Sequence, residues 1–176
     1  MIIKSFELNK LDLKKHNLFL LYGENRGYKN QIIFEKFKKL YLKKSYTYEE
    51  NEILSNEQDF FNNIFSKSFF EDEKLVIINR VTDKILRIIE EISEKKISDV
   101  IIVLNASILD KKSKIRSFFE KNENTICVPF YEDNNQTLSA IINKFFRDNT
   151  IPISQQGINL IAERCRGDRQ NLKNEL

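Results

Sequence analysis

Apolar residues fall along this chain in two alternating textures. The first is the short uninterrupted run. Leu18-Phe19-Leu20-Leu21-Tyr22 stops at Gly23, and Lys74-Leu75-Val76-Ile77-Ile78-Asn79, Asp99-Val100-Ile101-Ile102-Val103-Leu104-Asn105 and Thr125-Ile126-Cys127-Val128-Pro129 follow it. Runs of this length read as strands buried on both faces. A shorter strand is predicted around Tyr46-Thr47-Tyr48. The second texture is helical. Ile32, Ile33, Phe34, Phe37, Leu40 and Tyr41 recur along one side of residues 28–44, with lysines on the other side. Phe60, Phe61, Ile64 and Phe65 do the same over 56–65, and Ile85, Leu86, Ile88, Ile89 and Ile92 over 85–93. A short helix is predicted over 113–120. Apolar strands alternating with helices predict an α/β fold, a parallel sheet covered on both faces.

After Tyr131 the texture changes. Residues 132–136 read as a polar connector, and Thr137 as the cap of a helix carrying Leu138, Ile141, Ile142, Phe145 and Phe146. Ser154 opens another helix, which Gly167 ends, and Asp168 caps a third that is still running at Leu176. The predicted organisation is an α/β domain over 1–135 and a small helical domain over 136–176. The mid-helix ending reads as a truncation of something longer.

Composition narrows the chemistry. At roughly 150 residues per domain, 176 residues make one domain or one domain plus a fragment. With 29 Lys and Arg against 26 Asp and Glu the net charge is +3, too little to imply nucleic acid by itself. No apolar run approaches the ~20 residues of a membrane span, and the first residues lack the apolar core of a secretory signal. A cytoplasmic protein is expected. Cys127 and Cys165 have neither disulfide-framework nor zinc-ligand spacing. His16, the one histidine, sits in a polar stretch and reads as a solvated loop residue. No metal or cofactor is expected.

The turn after the first strand is where phosphate chemistry would be found. A Walker A loop, GxxxxGK[ST], cradles phosphates with backbone N–H groups and holds Mg²⁺ with its hydroxyl. Here the stretch is Gly23-Glu24-Asn25-Arg26-Gly27-Tyr28-Lys29-Asn30. Gly23 and Lys29 stand at the required spacing. Tyr28 replaces the second glycine, whose missing side chain lets a phosphate approach. Asn30 replaces the hydroxyl, and Glu24 adds negative charge. The loop has the right position and the wrong chemistry. The strands that would supply an acidic Mg²⁺ partner end in Asn79-Arg80 and Asn105-Ala106-Ser107.

Two surface features remain. Ser68-Phe69-Phe70 places adjacent phenylalanines after a helix already apolar on one side. Helical neighbours point ~100° apart, so the two rings do not share one buried stripe. They either enter the core or form an exposed wedge that fills a partner's pocket. Lys111, Lys112 and Lys114 form a basic loop after the third long run, and Arg164, Arg166 and Arg169 cluster near the end. Both are candidate phosphate contacts that otherwise read as solvated charge.

Taken in order, these pieces resemble the delta subunit of the bacterial DNA polymerase III clamp loader. The resemblance spans essentially the whole chain. It rests on Leu20-Leu21-Tyr22-Gly23 with the degenerate loop and on Ser68-Phe69-Phe70 ahead of Leu75-Val76-Ile77-Ile78. It continues through Val100-Ile101-Ile102-Val103-Leu104 and the lysine loop, Pro129, and Gly167-Asp168 leading into Asn171-Leu172-Lys173-Asn174-Glu175-Leu176. It implies a RecA-like AAA+ domain without ATPase activity, a helical lid, and a C-terminal collar that this chain lacks. It also implies a clamp-binding wedge of Ser68, Phe69 and Phe70, supported or extended by Ile64 and Phe65. Phe69 stands where the family often has Leu. The implied partners are the sliding clamp (beta), the ATPase subunits (gamma/tau), delta-prime and, through the complex, primed DNA. Lys111, Lys112 and Lys114 are candidate DNA contacts. No intrinsic catalysis is expected, although the DNA polymerase III holoenzyme as a complex is a DNA-directed DNA polymerase. Two rival readings are a P-loop or AAA+ type ATPase, against which Tyr28 and Asn30 argue, and a nucleic-acid-binding scaffold module on the same fold.

Overall fold

The structure, a computed structural model, describes residues 1–41, 44–65, 74–95 and 99–176. Five strands, β1 (Leu18–Tyr22), β2 (Ser45–Glu49), β3 (Lys74–Val81), β4 (Val100–Ala106) and β5 (Thr125–Pro129), form one parallel sheet in the order β2-β3-β4-β1-β5. All four apolar runs are strands, and the short Tyr46-Thr47-Tyr48 segment is the edge strand β2.

Side chains alternate across the sheet with period two. Phe19, Leu21, Leu75, Ile77, Ile101, Val103, Ile126 and Val128 face one side. There they meet Ile32, Ile33 and Phe37 from α1 (Arg26–Ile32) and its continuation in wider π-type turns over Ile33–Lys38. Leu18, Leu20, Val76, Ile78, Ile102, Leu104 and Cys127 face the other side. That side is covered by α2 (Glu50–Ser55), α3 (Glu57–Phe65), α4 (Leu86–Glu94) and α5 (Lys114–Lys121).

Several boundaries differ from the sequence reading. Residues 1–17 carry structure for which no element is predicted. Met1 and Ile3 bond the backbone of Cys127, extending the β5 edge, and Leu8 and Leu13 are buried on two short 3-10 turns. His16 is half-buried rather than solvated, with Nδ1 enclosed and unpartnered. The next helical cap is Asn134, not Thr137. Its Oδ1 accepts from the Thr137 N–H at 2.7 Å and the Thr137 hydroxyl at 2.9 Å, so α6 begins at Asn135 inside the segment read as a connector.

Helices α6 (Asn135–Asp148), α7 (Gln155–Cys165) and α8 (Arg169–Glu175) pack around Leu138, Ile142, Ile158, Ala162, Cys165 and Leu172. Ser154 and Asp168 cap α7 and α8 as their positions predict. Arg166 (φ 48°) and Gly167 (φ 76°) turn the chain between them through left-handed backbone. This turn aims α8 back at the sheet, and its first turn lies against α1.

Candidate functional site

In open parallel sheets ligands sit beyond the carboxyl ends of the strands, where connections leave in opposite directions. Here that point is β1, with β4 on one side and β5 on the other. The loop Gly23–Gly27 lies there, so position alone makes it the candidate nucleotide site.

Four N–H groups along it are already engaged. The N–H of Gly23 donates to Ser107 O at 3.1 Å, that of Asn25 to Phe130 O at 3.2 Å, and that of Arg26 to Glu24 O at 2.7 Å. The N–H of Tyr28 donates to Asn25 Oδ1 at 3.1 Å. A phosphate cradle needs such groups free and convergent. Gly23 keeps φ at 124°, and an added Cβ would lie 2.3 Å from Phe130 O. This glycine serves close strand-to-strand packing, not ligand approach.

Lys29 has turned inward. Its side chain is 4% exposed and its Nζ donates to the carbonyl of Ala106 at the end of β4. Burial pushes the ammonium down to about 8, with the Arg26 charge adding to the effect and Asp168 opposing it. The lysine-rich outer face of this helix therefore excludes the one lysine that the loop pattern singled out.

Tyr28 does what its bulk implies. Its ring packs edge-on against Phe130 at 5.2 Å, and the Arg169 guanidinium lies 3.5 Å over its face. Gly27 gives α8 its seat: a Cβ there would be 2.0 Å from Gln170 N. Arg169 also forms a two-pronged pair with Asp133, Nε to Oδ2 at 2.8 Å and Nη2 to Oδ1 at 3.1 Å. Asn25, fully buried, donates from Nδ2 to Asp133 Oδ2 at 2.8 Å. Loop, connector and α8 thus close on one another where a nucleotide would lie.

The carboxyl ends of β4, β3 and β2 carry a row of side chains. Asn105 Nδ2 donates to Asn79 Oδ1 at 3.0 Å, and Asn79 Nδ2 to Glu49 Oε1 at 3.4 Å. Amides stand where an acidic Mg²⁺ partner is sought on β3 and β4. Glu49 ends the outer strand β2 and faces Arg80 at 3.3 Å.

The other predicted residues sit apart from this site. Ser68, Phe69 and Phe70 lie outside the described residues. Of their neighbours, Ile64 is a core residue on α3, 3% exposed. Phe65 is half-buried, stacked on Phe61 at 5.5 Å, with Lys95 Nζ 4.3 Å from its ring centre. Lys111, Lys112 and Lys114 are exposed. Their loop is pinned by Asp83, which accepts from the Ser113 hydroxyl at 2.7 Å and the Lys114 and Ile115 N–H groups at 3.0 Å. Lys112 borders an open groove of about 470 Å³ with Asp83, Lys84 and Asp110, so charges of both signs line it. The arginine cluster divides: Arg169 is bound to Asp133, while Arg166 and Arg164, the latter paired with Glu175 at 3.2 Å, line one open groove.

Sequence reasoning missed Asn25, Asp133 and the role of Arg169. Asn25 had a signal, an Asx residue just before a helix. Asp133 had none, because its partners lie 108 and 36 positions away along the chain.

No family model and no curated protein matches this sequence. Solved structures do match in fold. The Bacillus subtilis DNA clamp loader delta protein superimposes with a TM-score of 0.61 at 15% identity, over 97% of this chain and 55% of that one. Thermotoga maritima RuvB gives 0.63 at 13% identity, over 97% and 57%. Aquifex aeolicus DnaA bound to AMPPCP gives 0.56 at 13%, again over 97% and 57%. The fold they share is a five-strand parallel sheet flanked by helices, of RecA-like type. The α6–α8 unit that follows the sheet is consistent with a helical lid. The chain spans little more than half the length of each of these proteins. Among the described residues, no helix is long and apolar enough to cross a membrane.

Proposed function

We propose that this chain is a delta-type subunit of a bacterial clamp loader, one that binds and opens the sliding clamp without hydrolysing ATP. The observation that carries the proposal is the closed loop. Four of its N–H groups, Lys29 and the neighbouring Arg169 are engaged inside the chain, in a fold shared with a clamp loader delta protein. An AAA+ subunit with no nucleotide to turn over acts through what it binds.

In this reading Phe69 and Phe70, with Ser68, form the wedge. Ile64 anchors its helix in the core and Phe65 extends the apolar surface. Opening a ring without hydrolysis requires only that the wedge bind the open interface better than the closed one. Two phenylalanines buried at about 25 cal/mol per Å² supply several kcal/mol before entropic costs. ATP-hydrolysing gamma/tau subunits and delta-prime would control when the wedge is presented. Primed DNA would be met through the assembled loader, with Lys111, Lys112 and Lys114 as candidate contacts.

The test is calorimetric titration with the sliding clamp of the same organism, beside a Phe69→Ala/Phe70→Ala variant of unchanged circular dichroism. The expected result is binding by the parent and a loss of at least about 100-fold in the variant, the effect of removing two hot-spot rings. Equal binding by both would remove the wedge assignment. No binding by either would remove the clamp reading itself.

A further inference from the structure

Asp133 gathers three donors from two parts of the molecule. Arg169 of α8 supplies two at 2.8 and 3.1 Å, and Asn25 of the β1–α1 loop supplies the third at 2.8 Å. The carboxylate side chain is 9% exposed and the guanidinium 20%. The Arg169 N–H also approaches Asn25 Oδ1 at 3.4 Å, so loop and helix touch on both sides of the carboxylate. The guanidinium is fixed from below by the Tyr28 ring, and the start of α8 by its seat on Gly27.

A guanidinium fork recognises carboxylate and phosphate by the same two parallel N–H bonds. Here one side of the cleft is the loop at the nucleotide position of this fold and the other is an arginine from the helical unit. The group held between them is an anion of the chain itself. We infer that the Asn25–Arg169 cleft is an oxyanion site whose built-in occupant is the Asp133 carboxylate. The carboxylate does structurally what a bound phosphate would do: it draws the helical unit onto the loop and holds it there with no nucleotide present.

The consequence is that removing the carboxylate exposes an anion site. With Asp133→Ala, Arg169 keeps its place over Tyr28 and loses its counter-charge, leaving a cationic cleft that a small oxyanion fits. This inference rests on the reading of the loop as one that holds no nucleotide, and not on clamp binding.

The experiment uses the whole chain and follows thermal unfolding and amide exchange. Inorganic phosphate is titrated against chloride at matched ionic strength. Asp133→Ala is expected to lower Tm by several degrees and to increase exchange in residues 169–175 selectively. Millimolar phosphate is expected to recover at least half of both losses. The parent and an Asp133→Ala/Arg169→Ala variant are expected not to respond. Should Asp133→Ala not fold, Asp133→Asn, which keeps the shape and removes the charge, is read in the same way. An unchanged Tm, or an equal phosphate response in parent and variants, overturns the inference. Nucleotide binding by the parent would instead overturn the loop reading on which it stands.

Discussion

Lys29 stands at the phosphate-lysine spacing from Gly23, and its ammonium has gone to a backbone carbonyl. A cation in such a place carries a burial penalty, visible as a proton affinity lowered from the ordinary lysine value to about 8. The sign of the pH effect follows. Between about pH 8 and 10.5 the unfolded chain holds the lysine proton more tightly than the folded one, so this residue's contribution to stability improves as pH rises through that window. Below pH 8 the penalty is present in full, roughly 2–3 kcal/mol for a shift of this size. Cys127 and Tyr22 act oppositely: burial raises each to about 12, so ionisation in the unfolded state favours unfolding at high pH. The clean measurement is therefore a difference. Lys29→Met removes only the lysine's titration, and the stability of the parent relative to Lys29→Met is expected to rise between pH 8 and 10 in urea titrations. A constant difference would place the Lys29 ammonium in water. The spacing of Gly23 and Lys29 was legible in the sequence; the direction taken by Nζ was not, because its acceptor is a carbonyl 77 residues away.

Helix α5 shows a cap supplied from another element. Ser113 begins it locally, its hydroxyl oxygen accepting from the Arg116 N–H at 3.3 Å, but the first two helical N–H groups donate to Asp83. Burial works to raise the Asp83 carboxyl, and the hydrogen bonds from Ile115, Lys114 and Ser113 outweigh it, so its pKa lies below the ordinary value. A depressed carboxylate contributes above its unfolded pKa and loses that contribution as pH falls. Asp83→Ala is expected to cost about 1 kcal/mol at pH 7, the size of an ordinary cap, with the cost shrinking as pH falls below the ordinary carboxylate range. A cost unchanged at low pH would mean that charge plays no part. The same kind of long-range partner explains which elements could be read in advance. β1, β3, β4 and β5 were legible because strands buried on both faces are apolar throughout. Helix α2 was not: it is six residues long, buries Ile53, and encloses Glu50, whose carboxylate accepts from the Thr82 N–H at 2.7 Å. The 3-10 turns near the N-terminus escaped for a related reason. Leu8 and Leu13 are isolated apolar residues among charges, and only the covering of the sheet gives them a place.

The whole molecule combines a RecA-like parallel sheet, a helical unit and a loop that has the address of a nucleotide site with four of its N–H groups engaged within the chain. Three kinds of contact hold the two parts together at that address: the Gly27 seat for α8, the Arg169–Tyr28 stack, and the Asp133 carboxylate bound from both sides. The internal pairing holds this region together within the chain itself. A site closed in this way is expected not to accept nucleotide. The decisive measurement is equilibrium dialysis of the intact chain against radiolabelled ATP and ADP with Mg²⁺, from micromolar to millimolar concentration. The expected result is no saturable binding of either. Stoichiometric binding with a micromolar Kd would contradict it.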